Sequence, residues 1–108
     1  WANLNGVGTP TLRDSFNVSS VTDNGTADYT FNYTSNMSNA NYGITMGCSS
    51  NTSVNNNGFG FAANIIMNLT VPGQYNTSGA RIGVGVNNQN NNELGAAYVN
   101  IAVHGDLA

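Results

Sequence analysis

The fold class this sequence predicts is all-β, an antiparallel β-sandwich, and three observations predict it. Apolar residues recur with period two, and nowhere at the three- and four-residue spacing of an amphipathic helix over three turns. Clusters of Gly, Asn, Asp and Ser break the alternating runs at intervals of roughly 10 to 15 residues, the rhythm of short strands joined by turns. The length, 108 residues, suits one domain with a small core.

The elements follow in chain order. Leu12–Phe16 reads as a strand and Val18–Thr22 as a second. Asp23-Asn24-Gly25-Thr26 is a turn signal, because Asn-Gly supplies positive φ at little cost. Asp28–Thr34 alternates cleanly, with Tyr29, Phe31 and Tyr33 on one face. Ser35–Asn41 is a loop. Tyr42–Cys48 groups Tyr42, Ile44, Met46 and Cys48, and Asn51–Asn57 is a polar loop. Phe59, Phe61, Ala63, Ile65, Met67, Leu69 and Val71 all occupy odd positions, a long half-buried strand that Pro72-Gly73 stops. Ala80–Val86 sets Ile82, Val84 and Val86 against a bare Gly83/Gly85 face that admits a close backbone. Asn87–Asn92 is a loop. Tyr98–His104 closes the fold with Val99, Ile101 and Val103 on one face.

Composition narrows the function. Charged residues make up 6% of the chain, against a usual ~25%. There is no lysine, and Arg13 and Arg81 are the only strong cations. Two arginines in a chain of net charge −3 cannot neutralise a phosphate backbone, which argues against nucleic acid. No apolar run approaches the ~20 residues of a membrane-spanning helix, so membrane insertion is not expected. Asparagine, with 21 copies, is the commonest residue, so solubility rests on amides and hydroxyls, groups suited to contact with sugars or to variable salt. One cysteine, Cys48, allows no internal disulfide. A small external domain then needs other support, and apolar residues facing both ways around Ile65-Ile66-Met67 point to a homotrimer.

Sites of chemistry are sparse, and neither a catalytic group nor a cofactor or metal is expected. Asp23 and Asp28 flank a hairpin, but Asp at such positions ordinarily serves the turn. The same stretch lacks the ligand spacing of a calcium loop. His104 stands alone and reads as a packed or interface residue, and Cys48 on an apolar strand face reads as inert. Asp14 falls in phase with Leu12 and Phe16, which points it inward. A buried carboxylate needs a partner, so Asp14 is expected to form a structural ion pair with Arg81 or with Arg13 of a neighbouring copy. Asn-X-Ser/Thr sequons begin at Asn17, Asn24, Asn32, Asn36, Asn51, Asn68 and Asn76, a number this composition generates by chance. The surface-binding candidates are Tyr42, Asn55, Asn56, Tyr75, Asn76 and Asn88, which combine flat rings with amide donors and acceptors.

Several stretches, taken together, carry a family resemblance. Trp1-Ala2-Asn3-Leu4-Asn5-Gly6-Val7-Gly8-Thr9 is similar to a WxNFNGTGT-like opening, and Arg13–Ser20, Thr22–Thr26 and Asp28-Tyr29-Thr30 follow it. Met37–Tyr42 and the closing Tyr98–Asp106 complete the set. Together they resemble a domain found near the C-termini of bacteriophage tail-fibre proteins. The likeness is dense over residues 1–42, returns at 98–106, and departs at His104, where an aromatic residue is expected. The resemblance implies a virion location, trimeric assembly and contact with the host surface, through a polysaccharide or a protein. It also implies that residues 1–10 lead in from a longer fibre and that residues 11–108 form the domain. The competing readings are a head fibre or capsid decoration protein without a receptor role, and a secreted surface glycoprotein.

Overall fold

The structure, a computed structural model, describes residues 1–49, 61–65, 75–86 and 98–108. Nine strands run through them: β1 (Ala2–Asn5), β2 (Thr11–Ser15), β3 (Val18–Gly25), β4 (Asp28–Tyr33), β5 (Gly43–Cys48), β6 (Phe61–Ile65), β7 (Tyr75–Asn76), β8 (Gly79–Val86) and β9 (Val99–His104). There is no helix among the described residues. Every pairing is antiparallel. One sheet has the order β2-β1-β9-β5, and the other has β3-β4-β8-β6 with β7 also paired to β8. The expected all-β, two-sheet, sandwich-like architecture is therefore present.

One core lies between the sheets. Ala2, Leu4, Val99 and Ile101 come from the first, and Val18, Tyr29, Phe31, Tyr33, Ala80, Ile82 and Val84 from the second. The alternation of β4 places Tyr29, Phe31 and Tyr33 inward together, as the sequence predicts. The Tyr29 hydroxyl donates to the Gly6 carbonyl at 2.9 Å, so its polar end is satisfied inside the fold. The boundary expected at residue 10 does not follow the sheets. Ala2–Asn5 is an inner strand between β2 and β9, and Ala2 and Leu4 are core residues.

Three β-bulges govern which side chains face out. In the β1–β2 ladder Leu4 pairs with Leu12 and Asn3 with Asp14, leaving Arg13 as the extra residue. Arg13 and Asp14 consequently both face solvent. In β3 the extra residues are Ser19 and Asn24, between the pairs Val18–Tyr33 and Ser20–Asn32 and between Asp23–Tyr29 and Gly25–Asp28. The first of these turns Val18 and Val21, three apart, toward the core. The second carries β3 through Asn24-Gly25, so the hairpin turns at Thr26-Ala27, with φ of 58° at Ala27, two residues beyond the turn the sequence predicts.

Candidate interaction surface

Tyr42 and Tyr75, expected on a sugar-contacting surface, are instead packed together. Their rings stack at 4.3 Å, and Tyr33 meets Tyr42 edge-on at 5.8 Å. Tyr42 is buried at 6% exposure, and its hydroxyl lies 2.8 Å from the Asn76 carbonyl and 2.9 Å from that of Gly79. The Tyr75 hydroxyl donates to the Tyr42 carbonyl. Asn76 belongs to the same knot. Its side-chain oxygen accepts from the Ser78 amide at 2.8 Å and the Ser78 hydroxyl at 2.7 Å, closing the β7–β8 turn. Period two explains why Tyr42 is inside: it continues the inward row of Ile44, Met46 and Cys48. Of the remaining candidates, Asn55, Asn56 and Asn88 lie outside the described residues.

The ion pairing also differs from expectation. Asp14 is exposed and accepts from the Ser15 amide at 2.8 Å. Arg81 pairs with Asp28 in a two-pronged contact, Nε to Oδ1 at 2.8 Å and Nη2 to Oδ2, with side-chain exposures of 25% and 13%. The β4–β8 register produces this by placing Thr30 opposite Arg81 and Asp28 opposite Gly83. Glycine leaves the guanidinium room to reach diagonally along the outer face. Arg13 lies over the Tyr98 ring at 4.1 Å and donates to the Leu4 carbonyl at 2.9 Å. The β1–β2 bulge is the physical reason that Asp14 and Arg13 face outward.

The remaining reactive groups are far apart or engaged. Cys48 pairs with Val99 and His104 with Gly43, at opposite ends of the β5–β9 ladder and roughly 17 Å apart along it. Burial pushes the Cys48 thiol above its ordinary pKa, which disfavours the nucleophilic thiolate. The Asp23 carboxylate accepts from the Gly25 amide at 3.0 Å, a local turn contact. Among the described residues no three His, Cys, Asp or Glu gather as metal ligands.

The two ends of β4 differ in chemistry. Beside Tyr29 is a mixed hollow walled by Gly6, Val7, Gly8, Asp23, Thr26 and Ala27, into which Asp23 brings a carboxylate. Beside Tyr33 is an apolar cleft of ≈ 210 Å³, bounded by Trp1, Phe16, Val18, Met37, Val103 and Leu107. Trp1, Phe16 and Leu107 are 49%, 68% and 54% exposed, while Val18 and Met37 belong to the core. The Met37–Leu107 bridge and the Ser38 amide bond to the Asp106 carbonyl, 2.8 Å, hold the C-terminal segment against this end. Gly105 is required there, since a Cβ would sit 2.6 Å from Tyr42 Cβ and 2.9 Å from Met37 Cε. The buried Tyr33 hydroxyl has no hydrogen-bond partner among the described residues. Burial first, and then Tyr42 and Tyr75, hold it well above the ordinary tyrosine range.

Sequence reasoning missed this cleft because it placed Phe16 in phase with Leu12 on an inward face. The bulge at Arg13 breaks that phase, and Phe16 falls in a turn next to Asn17, whose φ is 59°. The usable signal was the pair Phe16-Asn17, an aromatic residue beside one that tolerates positive φ. No family model, curated protein or solved structure matches the chain.

Proposed function

We propose that this chain is a non-catalytic assembly module of a virion appendage: a homotrimeric domain of a phage tail fibre, exposed on the particle, that contributes to host-surface adhesion. The observation that carries the reading is the apolar cleft with Trp1, Phe16 and Leu107 exposed around it, on a chain that otherwise keeps itself soluble with neutral polar groups. Exposed apolar clusters of this kind favour association. The charged groups described above favour the same reading, since Arg81 and Asp28 satisfy each other and Arg13 is spent on Tyr98 and Leu4.

The stretches that carry the tail-fibre resemblance also form one contiguous unit. Trp1–Thr9 and Tyr98–Asp106 contribute the adjacent strands β1 and β9, and Met37–Tyr42 packs on Gly105. Segments distant in sequence thus support one another, as expected if they belong to one inherited domain.

Host contact would rest on neutral groups rather than ionic contacts, since charged residues make up 6% of the chain. The test is binding of purified protein to host cells between about 50 mM and about 500 mM salt, which shortens the Debye length from roughly 14 to roughly 4 Å. Retained binding supports adhesion through neutral contacts, and loss at high salt rejects it. No binding by the module when the intact fibre binds favours a purely structural part, such as a head fibre or decoration protein.

A further inference from the structure

We infer that the apolar cleft beside Tyr33 is the seam between copies of this chain, with Phe16 and Leu107 as its anchors. The inference rests on the proposed self-association and adds where it occurs.

Chemistry favours a second copy as occupant. No side chain lining the cleft is ionisable except that of Tyr33, and the Trp1 amino group donates to the Phe16 carbonyl at 3.0 Å, so the lining itself brings no carboxylates together when copies of a chain carrying net charge −3 meet there. Asp106 is exposed beside Leu107, at the margin of the cleft. The cleft is smaller than the ~300–1,000 Å³ of ordinary small-molecule pockets, and its polar side chains are few, those of Asn17 and Tyr33. Shape agrees. Phe16 and Leu107 stand out beside a hollow whose walls include Val18, Met37 and Val103, so each copy carries both a projection and a recess.

Area supports the same occupant. From their exposures, Trp1, Phe16 and Leu107 together present roughly 350 Å² of side-chain surface. A standard interface buries about 800 Å² per partner, of which roughly 450–520 Å² is apolar. The patch therefore furnishes about two-thirds of the apolar part of one such seam. A patch this small touches two neighbours in a closed ring only if it lies near the symmetry axis, which sets the end of the sandwich bearing Phe16 and Leu107 at that axis.

The test is light scattering on the 108-residue chain, from about 1 to about 100 μM, with Phe16→Ser, Leu107→Ser and Thr45→Lys variants. Phe16 and Leu107 are largely exposed, so their serine variants should fold, and circular dichroism checks this. If each is an interface anchor, its loss weakens association at least about 30-fold. Thr45→Lys, on the exposed outer face of β5, leaves association unchanged. Association that persists in both serine variants, or that is lost only in Thr45→Lys, overturns the seam while leaving self-association standing. A monomeric 11.3 kDa wild type across the range removes both. Should a variant misfold, Trp1, the only tryptophan, reports on the wild type. Its emission should shift to the blue as the chain associates, and association with unchanged emission overturns the seam.

Discussion

Replacing Tyr42 separates a core role from a surface role. The ring stacks on Tyr75 at 4.3 Å and receives the edge of Tyr33, and its hydroxyl faces two backbone carbonyls, those of Asn76 and Gly79. Tyr42→Phe keeps the stack and strips the donor. Two enclosed acceptors losing one donor cost about 1–3 kcal/mol. Tyr42→Ala removes ring and donor together, and truncating a buried aromatic costs about 3–5 kcal/mol. Near the melting temperature a domain of this size loses roughly 4–8 °C per kcal/mol, so Tyr42→Ala should melt at least about 12 °C lower. Calorimetry at fixed protein concentration measures this, the concentration being held because association would shift the midpoint. A surface ring used for sugar contact predicts the opposite pattern, with a stability change below about 0.5 kcal/mol and a loss of binding. A Tyr42→Ala variant melting within about 3 °C of wild type would refute the core assignment.

Four other outcomes follow. Gly79→Ala should cost more than about 2 kcal/mol by urea titration, because its Cβ would lie 2.6 Å from the Phe31 carbonyl oxygen, a backbone atom that cannot step aside. Tyr33→Phe should cost less than about 0.5 kcal/mol or stabilise, since the hydroxyl it removes is buried without a well-formed hydrogen bond among the described residues. Burial raises the pKa of Tyr29, Tyr33, Tyr42 and Tyr75, so their contribution to stability is complete below the unfolded value of ~10 and is lost as pH rises through it toward the folded values. Urea midpoints should therefore fall above about pH 10, less steeply in Tyr33→Phe. A double-mutant cycle of Arg81→Met with Asp28→Asn should give a coupling of about 0.5–1 kcal/mol.

What could be read in the sequence, and what could not, divides along the length scale of the signal. Strands with a buried face of two or more alternating residues were legible: Tyr29/Phe31/Tyr33, Ile82/Val84 and Val99/Ile101 are inward as their alternation requires. One-residue irregularities were not. The bulge at Arg13 reverses the facing of Asp14, because side chains alternate with period two and a single extra residue inverts everything beyond it. The same arithmetic released Phe16 to the surface and concealed the cleft. The two-residue strand β7 lies below any periodicity, so Tyr75 read as a loop residue although its hydroxyl is fixed on Tyr42. Strand β1 was hidden by Asn3, Asn5 and Gly6, whose composition resembles a linker, whereas Leu4 is fully buried. The Arg81 partner required the β4–β8 register, which no local pattern encodes.

The absence of lysine bears on why association would concentrate at one end. Sheets ordinarily discourage edge pairing with lysines, or with bulges that twist the edge away. This chain has only the second device on β3, terminal in its sheet order, where Ser19 and Asn24 are both bulged. Outward amides there are tied into cross-strand ladders. Asn32 donates to Ser20 at 3.1 Å and Thr22 at 3.0 Å, and Asn24 donates to Thr30 at 2.8 Å. On the other sheet Asn3 donates to Asn100. Side chains already bonded to one another gain little by meeting a second protein, since each new contact replaces an existing one. The cleft around Phe16 offers the opposite balance, with apolar surface held in water and little polar to surrender, since the Tyr33 hydroxyl is enclosed and the Asn17 amide is already bonded to Ser35. On these terms the proposed association would be driven where Phe16 and Leu107 stand exposed, and the ladders on β3 and β4 would remain facing water.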